Sequence, residues 1–348
     1  MIHGGEFRVM KMTMSLATLL RGVLFALAVM LVTMPGSAFA QKFNPDGAPN
    51  PDASHVSERE LLKLLPRAEG RIDIPDAKAA VLIQPMGRTW DYFHEVLLHW
   101  GAAIVIIGTL VLLALAYLVM GRLRIEGGRS GLTVVRFKAI ERFSHWLTAV
   151  SFVVLGLTGL NITFGKYLLL PVIGPQAFSD VSQIAKYIHN FVSFAFVVGL
   201  FLIAVIFVKD NFPARVDLEW VKKGGGFIKS KHAPAGRFNL GEKAVFWLSL
   251  GLGVAVSASG YLLLFPFSGT NIFGMQIAQV VHAVAAVLFV ALILAHIYIG
   301  TLGMEGAFEA MGSGEVDLNW AKEHHDQWLA EKLTKEPHPI RGAATPAE

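Results

Sequence analysis

Two histidines set into an apolar run offer the first chemistry in this sequence. Residues 279–300, QVVHAVAAVLFVALILAHIYIG, carry His282 and His296 and are otherwise long and apolar enough to cross a bilayer as a helix. Ionisable side chains at membrane depth are uncommon and mark functional positions. The two lie fourteen positions apart, which at 100° and 1.5 Å per residue places them within about 40° of one face and about 21 Å apart along the axis. One helix face therefore presents an imidazole near each side of the membrane. Stacked cofactors are the simplest chemistry needing that arrangement, and haem iron held by neutral imidazoles is the candidate.

Composition supports a membrane setting. Of 348 residues, 54% are hydrophobic and 16% charged, too apolar for a soluble chain of this length. The formal net charge of +4 comes from Lys and Arg beside apolar segments, which points to basic cytoplasmic loops and not to nucleic-acid binding. The absence of cysteine excludes iron–sulfur ligation, C-x-x-C-H haem attachment and disulfides within this chain. Any iron–sulfur centre must belong to a partner.

The elements that would position the histidines follow from hydropathy and charge. Residues 1–40 read as a secretory signal: Arg8, Lys11 and Arg21 precede an apolar run at 22–34, and Ala38-Phe39-Ala40 fits a small-residue cleavage site. A retained anchor helix is the alternative. Residues 41–95 form a polar, Pro-rich periplasmic arm with a short helix. An additional span at 96–120 is followed by Arg122, Arg124, Arg129 and Arg136, so it runs from outside to inside. Four more spans are expected at about 143–164, 187–208, 244–265 and 278–302, within a core at 136–302. The charge-poor stretch around Lys166, Asp180 and Lys186 reads as an outer loop, and 209–243, rich in Lys and Arg, as an inner one. The tail at 303–348 then lies in the cytoplasm and the mature N-terminus in the periplasm. The fold class is an all-α membrane protein, a four-helix di-haem bundle plus one N-terminal transmembrane helix.

This topology gives each histidine a depth. His189 and His282 lie toward the outside, His145 and His296 toward the cytoplasm. Two haems b, each held by a depth-matched pair from facing helices, satisfy all four. Glycines at 156, 159, 199, 251, 253 and 260 permit close approach, although glycines also serve plain helix packing. A proton relay or channel using the same histidines is a different class of answer, and it requires a colourless protein. His94 and His99, five positions apart and so about 140° apart on an α-helix, read as interfacial residues, with a quinone contact or extra ligand as the alternative.

From about residue 136 onward the chain resembles the gamma subunit, a b556-type cytochrome, of membrane-bound respiratory formate dehydrogenase. The motifs are RFSHW with His145, KYIHN with His189, GRFNLGEKAVFW, QVVHA with His282, LAHIYIG with His296 and WAKEHHDQW in the tail. The resemblance implies two haems b with the same ligand pairs: His189 with His282, and His145 with His296. It also implies a quinone site on the cytoplasmic side formed by Asn239, Gly241, Glu242 and His296. Glu242 stands where the family has a glutamine; Asn239 also reads as a helix N-cap. As partners the resemblance implies an iron–sulfur beta subunit and a molybdenum- or tungsten-containing alpha subunit, in a bacterial inner membrane, with a higher oligomer compatible. The same di-haem module serving another respiratory complex, such as hydrogenase or thiosulfate reductase, is the nearest alternative.

Overall fold

The computed structural model describes residues 86–225, 233–336 and 339–342. The signal at 1–40 and residues 41–85 of the arm at 41–95 lie outside the described residues. Five helices are long and apolar enough to cross a membrane, and the chain is a mostly helical multi-pass membrane protein. Their outward faces carry bare aliphatic side chains such as Leu118 and Val119, as lipid-facing helices require.

The first span consists of α1 (Gly87–Tyr92), a π-helical turn (Phe93–Leu98) and α2 (His99–Met120). The others are α3 (Ala139–Leu168), α4 (Leu170–Phe207), α6 (Leu240–Leu264) and α7 (Ile272–Tyr298), with α5 (Arg215–Lys222) between α4 and α6. Helix α3 packs along α4, and α6 along α7; α2 lies against α7. Gly199 permits the first of these contacts, because a methyl built on it comes within 3.0 Å of the Thr148 backbone nitrogen.

The stretch expected as an outer loop around Asp180 and Lys186 is helical. After α3 the chain turns at Leu169, breaks at Gly174 (φ 78°), and Pro175 restarts a helix that continues unbroken to Phe207. Proline at a first helical position is pre-set for this, and no breaker follows it.

At the end of the bundle where α3 begins and α7 finishes, the loops and tail build a cap. Strand β1 (Leu132–Val135) pairs antiparallel with β2 (Glu315–Asp317) and β3 (Ile340–Gly342), with β1 in the middle. Val134 pairs with Val316, and both are completely buried. Helices α8 (Ala307–Gly312), α9 (Leu318–His324) and α10 (Asp326–Lys335) complete it. One apolar cluster joins Val134, Phe137, Val316, Trp320 and Leu329 of the cap to Phe207 and Phe246 of the spans. The cap is thus continuous with the bundle core.

Candidate functional site

The structure brings the four expected histidines together in two pairs. His145 on α3 faces His296 on α7, and His189 on α4 faces His282 on α7. In each pair the ring centres lie 6.2 Å apart, with the planes inclined by 57° and 68°. An imidazole nitrogen sits about 1.2 Å from its ring centre and about 2.0 Å from a bound metal. Two imidazoles clasping one ion therefore have centres about 6.4 Å apart, so both pairs have the spacing for it.

Hydrogen bonds orient the pair at the uncapped end. His282 Nδ1 lies 3.0 Å from the Val256 carbonyl on α6 and 3.2 Å from Ser259 Oγ. A carbonyl can only accept, so Nδ1 carries the proton and Nε2 keeps its lone pair. His189 Nδ1 lies 2.9 Å from Thr158 Oγ1, whose own proton is donated to the Val154 carbonyl at 2.8 Å. That hydroxyl oxygen accepts from Nδ1, leaving His189 Nε2 free as well. Such outer partners fix the tautomer and orientation of metal-ligating histidines. Glycine supplies the room: a methyl on Gly159 would stand 3.5 Å from the His189 ring, and one on Gly260 only 3.1 Å from the His282 ring. At the capped end, His145 Nδ1 is buried without a hydrogen-bond partner among the described residues. The donor set and spacing fit haem iron at both levels.

Between the two levels the interior is aromatic. Phe152, Phe196 and Phe289 stand seven residues beyond His145, His189 and His282, about 10 Å along their helices. Their rings touch one another, with centres 4.5 Å apart for Phe152 and Phe289 and 6.2 Å for the other two contacts. Leu200 closes the same cluster.

The residues expected at a quinone site lie at the capped end, at the start of α6. Asn239 is its N-cap: Oδ1 accepts from the Glu242 N–H at 3.0 Å, and Glu242 Oε2 accepts from the Asn239 N–H at 2.9 Å. This reciprocal capping box accounts for both residue types. Gly241 sits against Trp220. No hydrogen bond or ring contact among the described residues joins His296 to Asn239, Gly241 or Glu242. What they share is an end of the bundle.

Glu242 has further partners that the sequence reading missed. Its Oε1 accepts from Arg136 Nη2 at 3.1 Å and lies 3.6 Å from His325 Nε2. Arg136 is buried among the rings of Phe137, Phe238, Trp320 and Trp328, its guanidinium carbon 5.0–5.9 Å from their centres. Burial, and to a lesser extent the charge of Arg237, push the guanidinium down from its ordinary pKa, while the Glu242 carboxyl and the surrounding rings offset part of that cost. His325, 1% exposed at its side chain, has Nδ1 3.0 Å from the Gly236 carbonyl. Burial, and then the charge of Arg136, hold this imidazole well below its usual pKa, so it is neutral. Nearby, Lys243 pairs with Asp217 at 2.8 Å, both buried, and Arg237 bridges Glu141 and Asp210. Arg142 and Trp146 donate to the Met311 carbonyl, tying the start of α3 to α8.

His94 and His99 do meet, contrary to the α-helical expectation. The π-helical turn at Phe93–Leu98 changes the periodicity, so residues five apart come to one side. Their rings are 5.8 Å apart and His99 Nδ1 lies 2.8 Å from the His94 carbonyl. His99 Nε2 reaches the Thr163 carbonyl at 3.1 Å, and so the additional span is pinned to the far end of α3.

An apolar helical bundle with paired interior imidazoles has the make-up of a membrane cytochrome b. The chain belongs to the prokaryotic cytochrome b561 family, whose family model matches residues 136–314; it is accordingly a membrane cytochrome b subunit that binds haem b. Among its relatives are two from Escherichia coli strain K12. The formate dehydrogenase cytochrome b556(fdo) subunit is 30% identical over 203 residues, 57% of this chain and 93% of that protein. The nitrate-inducible formate dehydrogenase cytochrome b556(Fdn) subunit is 29% identical over 204 residues, 57% of this chain and 91% of that protein. A formate dehydrogenase cytochrome b556 subunit of Haemophilus influenzae is 27% identical over 206 residues, 58% of this chain and 84% of that protein. The additional span, α1 to α2, lies outside the residues the family model matches.

Proposed function

We propose that this chain is the quinone-reducing membrane subunit of a formate dehydrogenase, with His189 and His282 holding one haem b and His145 and His296 a second. The observation that carries the reading is the pair of facing imidazoles at each of two depths, each with ring centres 6.2 Å apart. The names of its relatives point to a formate dehydrogenase as the electron donor, and the partners that the resemblance implies are an iron–sulfur subunit and a molybdenum- or tungsten-containing subunit oxidising formate. When bound, haem b supplies reversible one-electron transfer between the two ends of the bundle.

The chain's own residues do the remainder. Val256, Ser259 and Thr158 keep the proton on Nδ1 of the outer imidazoles, so that Nε2 points inward as a ligand. The Phe152–Phe196–Phe289 layer keeps water and protons out of the centre, so charge crosses as electrons alone. The Lys and Arg residues of the loops at the capped end support a cytoplasmic position for it, in a bacterial inner membrane. There Asn239, Gly241, Glu242 and His296 receive the quinone ring and its protons. Protons taken up from the cytoplasm add to the membrane potential.

The test is His296→Ala in the whole complex. Formate oxidation with an artificial dye should persist, whereas quinone-linked oxidation and the optical signal of one b haem should be lost. Unchanged haem content and unchanged quinone-linked activity would overturn the assignment.

A further inference from the structure

We propose that Glu242 and His325 hold one proton between them and that this pair is the immediate proton donor to the quinone ring at the capped end. The inference rests on the quinone reading above and adds a residue of the tail to it. His325 donates through Nδ1 to the Gly236 carbonyl, so Nε2 is a lone pair, and it faces Glu242 Oε1 at 3.6 Å. A lone pair opposite a carboxylate oxygen repels unless a proton stands between them. The gap is longer than a direct hydrogen bond; catalytic contacts of this kind are often long before the reacting partner is bound. Glu242 keeps 37% of its side chain open while His325 is enclosed, so the carboxyl is the member that a ring or water can reach.

The charged surroundings are fixed. Arg136 donates to Oε1, and the Asn239 N–H to Oε2, so a carboxylate left behind is stabilised in place. Lys243, the next residue, is turned away to Asp217, and Arg237 is engaged with Glu141 and Asp210. His324 adjoins His325 in sequence and, like His325, has its ring centre 5.2 Å from that of Trp320 at a tilted angle. In the proposed step the O–H bond of Glu242 breaks and an O–H bond forms on the two-electron-reduced ring. The electrons come from the haem side, and the second proton and the replacement proton on Glu242 come from cytoplasmic water that reaches the exposed carboxyl, with His325 Nε2 facing Oε1 as the acceptor that holds the replacement in place.

The experiment uses the full-length, haem-loaded protein in lipid vesicles. Pre-reduced haem is reoxidised with a short-tailed benzoquinone across a range of pH, and infrared difference spectra are recorded in parallel. Glu242→Gln should slow reoxidation about a hundredfold, the lower end of the usual range for loss of a proton-transfer group, and His325→Gln should slow it less. The double variant should be no slower than Glu242→Gln, because members of one unit are not additive. The protonated-carboxyl band should vanish in Glu242→Gln and shift in His325→Gln. Multiplying losses, or a His325→Gln protein with wild-type band and pH profile, would overturn the pair. Should His325→Gln fail to load haem, Glu242→Gln, which keeps the shape and one acceptor oxygen of the side chain, decides on the band and rate alone. A wild-type protein whose haem the quinone does not reoxidise, but whose carboxyl band responds to His325→Gln, sinks the quinone reading and leaves the shared proton standing.

Discussion

His189 and His282, on different helices and ninety-three residues apart in the chain, face each other with ring centres 6.2 Å apart, and each has its Nδ1 occupied by a neighbour. The same separation recurs between His145 and His296 at the other end of α7. Helix α7 thus contributes one imidazole to each pair, and its two histidines set the spacing of the levels.

The ring of His282 has almost no room behind it. Gly260→Val should push that ring off its line with His189, since even one methyl would stand 3.1 Å away. The expected outcome is loss or spectral broadening of one b haem with the other unchanged, read in a low-temperature reduced spectrum.

Phe289 lies in the aromatic middle layer, 2% exposed. Phe289→Ala should cost about 3 kcal/mol through the cavity it leaves and let water into the space between the levels. Proton leak in vesicles loaded with a pH dye measures this; Phe289→Leu should leak far less.

Lys243 and Asp217 form a buried ion pair at the capped end. Asp217→Asn strands the ammonium and should cost about 3–5 kcal/mol, whereas the double change Asp217→Leu with Lys243→Met should recover most of it. Thermal unfolding of the solubilised protein compares the three.

His325 makes the cap sensitive to acid. Its pKa in the folded protein lies below the ordinary 6.5 because of burial and Arg136. The unfolded chain therefore binds more protons in the window below about pH 6.5, and stability there rises with pH. Fluorescence of Trp320 and Trp328 during thermal scans should show a lower midpoint at about pH 5.5 than at about pH 7.5, with a smaller difference in His325→Gln.

Much of the fold was legible because lipid imposes a simple rule. A spanning helix must be long, apolar and internally hydrogen-bonded, so the five spans were readable to within a few residues at most ends, and the histidines inside them stood out. The start of α4 was not, since its first turns beyond Pro175 project past the apolar stretch and look polar. The cap was illegible for another reason. Its strands are three or four residues long and pair Thr133 with Asp317, so no local pattern announces them. Arg136 read as one more basic loop residue, and His325 as part of a motif without a role; only the tertiary contacts bring both to Glu242. The π-helical turn that joins His94 to His99 has no signature in α-helical spacing.

The central claim is that two pairs of imidazoles hold two haems. Haem b quantified per polypeptide in the purified protein, with His282→Ala and His145→Ala measured alongside, tests it directly. Two haems per chain in the wild type, and one in each variant with different residual spectra, is the predicted result. A single haem in the wild type, or variants that keep the wild-type haem content, would contradict it.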